Sequence, residues 1–214
     1  MSELLAFLRA RRSAAPIVYG RVRYEGVLYV IIKHLQPITE IEELCRRSAD
    51  HSGRSRYGTQ GRPTWYGALD PLTAIAEASY HAMTDEGGNE GADVLGALYQ
   101  LRVRGRFVDL HGRERTQPEI VGDDYAPTQL LARQVRTMTP LSGVLYPSAR
   151  SSGTCLAMFT QQAMRNVKFI DTIPMRRISQ TAIKVRAPRS TKWWKLRLDD
   201  LRRTAAAAAR VECA

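Results

Sequence analysis

Between Asp70 and Thr84 the chain follows a helical period, with Leu72, Ile75, Ala76, Ser79 and Met83 falling on one face as a buried stripe. Asp70-Pro71 is a strong start for that helix. An aspartate N-cap accepts a backbone N–H, and proline at the first helical position gives up an N–H that has no partner there. The spacing predicts a helix over 71–84, preceded by a short strand at 64–68. At 100° per residue Glu77 lies off the stripe, beside Thr73, Ala74, Tyr80 and His81. Taken alone, that is the position of a solvated glutamate.

Elsewhere the periods alternate irregularly. "IVYGRVRYEGVLYVII" (17–32) is rich in Val, Ile and Tyr and predicts two strands joined near Glu25-Gly26. A short helix follows Pro37, then a polar Gly/Ser/Arg loop at 51–62. "DEGGNEGAD" (85–93) reads as a loop, 94–110 as a long strand, and 126–138 as a helix with Leu130, Leu131 and Val135 at helical spacing. "SGVLYPSAR" is a strand running into a turn, "TCLAMFTQQAM" is apolar and ambiguous, and "VKFIDTIPM" and "ISQTAIKVRAP" read as closing strands. This order lacks a regular βαβ rhythm and predicts an α+β domain. The organisation expected is an N-terminal helical extension (1–16), a domain (17–190) and a C-terminal helical tail (191–214) in which Trp193, Leu196 and Leu201 dock on the body or on a partner.

Composition narrows the class. With 214 residues and 44% hydrophobic content, one sizeable core is affordable. No stretch reaches the roughly 18 apolar residues of a membrane span. The N-terminal charges follow the apolar part rather than precede it, unlike a secretory signal. Cys45, Cys155 and Cys213 are scattered and odd in number, with neither disulfide nor zinc spacing, which fits a reducing cytoplasm. The net charge of +11 suits nucleic acid, an acidic partner or a phosphate-bearing ligand, or is simply a soluble basic surface.

Four dispersed features carry candidate chemistry. Arg56, in a glycine-punctuated loop, can pair a phosphate through its planar fork. Tyr66, at the end of the strand before the helix, can stack on an aromatic ligand or simply be a half-buried strand residue. Ser148 follows Pro147 at a strand end and can serve as nucleophile, ligand contact or turn hydroxyl. The nucleophile-elbow pattern G-x-S-x-G is absent, which argues against a serine hydrolase. His34, His51, His81 and His111 lack metal spacing, so no metal site is expected.

In succession, "SRYGTQGRPTWY" (Arg56, Tyr66), "AIAEASYH" (Glu77) and "GVLYPSARSSGTCLAMF" (Ser148, Phe159) resemble the RES domain family, named for its characteristic Arg, Glu and Ser. The likeness in order and spacing spans about residues 45–160. It departs from the family at the opening L-Y-R strand: "VLYVII" has Val30 where that arginine falls, with Arg21 and Arg23 as candidate substitutes.

The resemblance implies an ADP-ribosyltransferase-like mixed sheet with flanking helices. It implies a toxin of a bacterial toxin–antitoxin pair that degrades NAD at the nicotinamide–ribose bond, as a glycohydrolase or a phosphorylase. Glu77 and Tyr66 would then be catalytic, and Arg56 and Ser148 would bind substrate. NAD is the substrate, inorganic phosphate is a candidate co-substrate, and no resident cofactor is implied. The expected partner is an antitoxin, a small helix-turn-helix DNA-binding protein, in a homo- or hetero-oligomer in the cytoplasm. Two other readings stand beside it: an ADP-ribosyltransferase acting on a macromolecule, and a non-enzymatic basic module that binds nucleic acid or protein.

Overall fold

The computed structural model describes residues 19–33, 37–84, 90–91, 93–114, 116–138, 140–186 and 188–201. The expected N-terminal helix, most of the 85–93 loop and the alanine run lie outside them.

The backbone of the fold is one long ribbon. Strand β1 (Gly20–Lys33) pairs with β3 (Asp93–Asp109) in an antiparallel ladder running from Gly20 opposite Asp109 to Lys33 opposite Gly96. No turn forms at Glu25-Gly26, contrary to the sequence expectation. The glycine is needed for a different reason: the Tyr24 side chain folds over it, and its hydroxyl donates to the Val27 carbonyl at 3.0 Å. A Cβ at Gly26 would stand 2.4 Å from the Tyr24 Oη.

The other edge of β3 is shared by two partners. Its N-terminal part pairs antiparallel with β6 (Met164–Ser179), and its end pairs parallel with β4 (Leu141–Pro147). With β2 (Trp65–Ala68) and β5 (Thr154–Met158) the order is β1-β2-β5-β4-β3-β6-β7-β8, where β7 is Ala182–Arg186 and β8 is Trp193–Arg197. Because β1 pairs with both β2 and β3, five strands close a ring and β6–β8 extend from it. This mixed sheet, with α1 (Ile41–Ser48), α2 (Pro71–Thr84) and α3 (Ala126–Thr137), is the α+β fold expected. Among the described residues no helix is long and apolar enough to cross a membrane.

Three clusters make the core. One packs Leu44 and Cys45 of α1 against Leu28, Val30, Leu101 and Leu156. A second holds Leu131, Ala132 and Val135 of α3 over Val108, Val144 and Ala157. The third places Ile75 and Met83 of α2 on Leu98, Ile173, Ile183 and Val185. Leu72 is not part of the α2 stripe, being 57% exposed. In its first turn the helix packs through Thr73 and Ala74 instead, against Ser151 and the second cluster. The tail is also corrected at its start: Trp193–Arg197 pairs with β7 as a strand rather than a helix, leaving Trp193 and Trp194 exposed while Leu201 is buried.

Asp70 caps α2 as its sequence implies, with Oδ1 accepting the Thr73 N–H at 2.8 Å. Asp70→Ala is expected to cost about 1 kcal/mol, read as a fall in urea midpoint at unchanged m-value.

Candidate functional site

Glu77 is the point where three elements meet. It sits in the middle of α2, half-buried, and its Oε1 accepts a 2.6 Å hydrogen bond from the Ser148 hydroxyl at the end of β4. Ser148 is 3% exposed. Its Oγ also accepts the backbone N–H groups of Arg150 (3.0 Å) and Ser151 (3.1 Å). A hydroxyl has one proton to give and two lone pairs, so every capacity of Ser148 is used inside the protein. In this arrangement its proton goes to Glu77, which it orients.

The turn after Ser148 is fixed on the start of α2. Ser151 Oγ bonds Thr73 Oγ1 at 2.9 Å, and Gly153 closes the turn with its carbonyl accepting the Ser148 N–H at 2.8 Å. Any side chain at Gly153 would collide there, since its Cβ would lie 1.9 Å from Thr73 Oγ1. The solvated glutamate that the local sequence favoured is therefore held against a second, rigid element.

Around Glu77 are two adjoining lobes of an open cleft. Both share a wall made by Tyr66, Glu77, His81 and Tyr146. The first lobe is cationic and aromatic, lined by Arg56, Arg150, Tyr80 and Tyr125. The second is mostly apolar, lined by Tyr29, Ile31, Ala74 and Ala78. Cys155 closes its floor, with Sγ 3.8 Å from Glu77 Oε1, and burial holds that thiol protonated by raising its pKa.

Arg56 reaches the first lobe from a loop that α3 clamps. Thr128 Oγ1 donates to the Arg56 carbonyl, and Gln129 Nε2 donates to those of Gly53 and Ser55. Its guanidinium donates to the carbonyls of Ile120 (2.9 Å), Gly122 (2.7 Å) and Val121 (3.4 Å) and lies over the Tyr125 ring. Several of its donors are thus committed to the 120–122 backbone, and what it presents to the cleft is mainly positive charge. Tyr66 is anchored by its hydroxyl, which accepts the Tyr57 N–H at 3.0 Å and bonds Ser55 Oγ at 2.7 Å. Burial raises its pKa, so the phenol stays neutral and offers the cleft a ring.

All four residues singled out by sequence reach one site. The sequence reading missed Arg150, Tyr80, His81, Tyr125 and Tyr146. Two of these had a signal: Arg150 lies two residues after Ser148 within "YPSAR", and His81 lies one helical turn after Glu77. Arg150 is 5% exposed, stacks 3.4 Å over the Tyr80 ring centroid and pairs with the exposed Asp123 at 3.1 Å. The β1 substitution is also resolved. Val30 is buried in the first cluster, on the face away from the cleft, and neither Arg21 nor Arg23 lines it. The β1 cation near the site is Lys33, on the same alternation as Tyr29 and Ile31 and close enough to act on His81.

Desolvation lowers the His81 pKa. Glu77 pulls it upward, while Arg150, Lys33 and Arg56 reinforce the fall. His81 is accordingly neutral at neutral pH. The folded state then binds fewer protons than the unfolded chain between the two pKa values, so this residue's contribution to stability is full above the ordinary value of about 6.5 and is lost as pH falls below it. An NMR titration should place the His81 midpoint below that value. Glu77→Gln, which removes the upward pull, should lower it further; a rise would contradict the arrangement.

A family model described as the RES domain matches residues 41–178, well over half of the chain. No curated protein matches the chain.

Proposed function

The chain belongs to the RES domain family, a family associated with toxin–antitoxin systems, and from that premise we propose that it is a toxin that degrades NAD by cleaving the nicotinamide–ribose bond. The observation that carries this reading is the place of Glu77, on the wall common to a cationic lobe and an apolar one. NAD has the matching layout: a doubly charged pyrophosphate, then a ribose, then a flat nicotinamide ring. With the pyrophosphate beside Arg56 and Arg150 and the nicotinamide against Tyr29, Tyr66 and Ile31, the ribose falls at Glu77.

In the reaction the bond between ribose C1 and the nicotinamide nitrogen breaks, and its electron pair leaves with the ring, which becomes neutral nicotinamide. The sugar develops oxocarbenium-like positive charge. A carboxylate already aimed by Ser148 stabilises that charge and accepts hydrogen bonds from the ribose hydroxyls without reorganising as the bond breaks. Water then yields ADP-ribose and a proton; inorganic phosphate yields the sugar phosphate. Ser148 acts as a positioning residue here, and Tyr66 as an aromatic wall beside the breaking bond. The antitoxin is a helix-turn-helix partner whose binding closes the cleft. An ADP-ribosyltransferase would use the same cleft with a macromolecular acceptor.

Purified protein incubated with NAD should release nicotinamide. Glu77→Gln should lower the rate by roughly 10²–10³-fold, the scale of losing one preorganised electrostatic contact, with an unchanged circular dichroism spectrum. A rate that depends on added phosphate assigns phosphorolysis, and one indifferent to it assigns hydrolysis. Adenine-labelled NAD that transfers its label to protein or nucleic acid would move the reading to the transferase. No release by folded wild-type protein would overturn both.

A further inference from the structure

The ribbon face that contributes Tyr29 and Ile31 to the cleft continues beyond it as an array of cations. In the β1–β3 ladder Arg23 stands directly opposite Arg106, Glu25 opposite Arg104, and Val27 opposite Arg102. On the next strand Arg165 stands opposite Arg102, and Lys168 stands opposite Gln100, the partner of Tyr29. A bulge between those two positions keeps both β6 cations on one side. It adds one residue to β6, and Asn166 within it takes a left-handed conformation, φ 48°. Arg23, Arg102, Arg104, Arg106, Arg165 and Lys168 are all exposed.

Like charges directly opposite on neighbouring strands are destabilising, and this face has two such pairs, Arg23–Arg106 and Arg102–Arg165. Among the described residues the only acid paired into the array is Glu25, at 3.3 Å from Arg104. A groove runs along it, lined by Glu25, Arg102, Arg104, Gln162 and Arg165. Such an arrangement attracts an anion, whose binding relieves the repulsion.

We propose that this face docks an extended acidic segment of a partner protein, laid along β3 so that alternate carboxylates meet alternate arginines. Same-side residues of an extended chain recur about every 6.8 Å, and Arg102, Arg104 and Arg106 recur along β3 with the same alternation. Arginine forks receive carboxylates bidentately. Single-stranded nucleic acid is the weaker fit because, among the described residues, the groove along the array is lined by no aromatic residue on which bases could stack. The face begins two residues from Tyr29, so a partner seated on it stands next to the cleft. The proposal rests on the cation array and not on the reading of the cleft.

The probe is a short labelled peptide alternating Glu and Ser, followed by fluorescence anisotropy at rising salt. It is compared with a peptide of the same composition whose glutamates form one block, and with an oligothymidylate of equal charge. The alternating peptide should bind tightest and lose affinity with salt. Arg102→Gln with Arg165→Gln should weaken it about tenfold, with Arg23→Gln and Arg106→Gln as a second pair should the first fail to fold. Arg23→Gln alone should raise the melting temperature by relieving repulsion. Tighter binding of the oligothymidylate would overturn the proposal in favour of nucleic acid. Equal binding of the block peptide, or affinity unmoved by either pair of substitutions, would also overturn it.

Discussion

A single hydrogen bond, from the Ser148 hydroxyl to Glu77 Oε1, ties together the two halves of the site. Each end depends on other structure. Ser148 can donate to the carboxylate because two backbone N–H groups occupy its lone pairs and hold its orientation. Glu77 can face Ser148 because α2 is buried along Ile75, Ser79 and Met83 and capped by Asp70, which fixes its rotation. The turn that carries Ser148 reaches the helix only because Gly153 has no side chain. A half-buried carboxylate is otherwise a poor use of a core helix, and here its position defines the boundary between the two lobes.

Much of this was legible in the sequence, for local reasons. The cap at Asp70, the helix over 71–84 and the long strand through Leu98 and Val103 follow from short-range chemistry and period. Glu77 was not legible in the same way, because its neighbours on the helical wheel, Thr73, Ala74 and Tyr80, gave no sign of burial. They are buried against the β4–β5 turn and the sheet, contacts made by residues some 70 positions away. Only the order of motifs, shared with the RES domain, pointed to it.

The failures have the same origin. Gly26 was read as a turn because glycine commonly marks one, whereas here it makes room for the Tyr24 ring within a continuous ladder. The Trp193–Arg197 segment has helix-compatible residues, yet pairing with β7 overrides that preference. Ser148 was open to three readings from its place at a strand end; the N–H groups of Arg150 and Ser151 on its Oγ bear out the turn hydroxyl, and its proton goes to Glu77, a partner 71 positions away that no local pattern announces. Arg56 is anchored more deeply than a phosphate clamp needs, and Arg150, stacked on Tyr80, complements it.

The central claim is that Ser148 acts through Glu77 on the sugar of NAD. It is tested most directly by nicotinamide release in Ser148→Ala, Glu77→Gln and the double variant, with kcat and KM resolved. The account predicts that Ser148→Ala lowers kcat far more than it raises KM, and that adding it to Glu77→Gln costs little more, because the carboxylate it orients is already gone. Losses that multiply in the double variant, or a Ser148→Ala effect confined to KM, would contradict it.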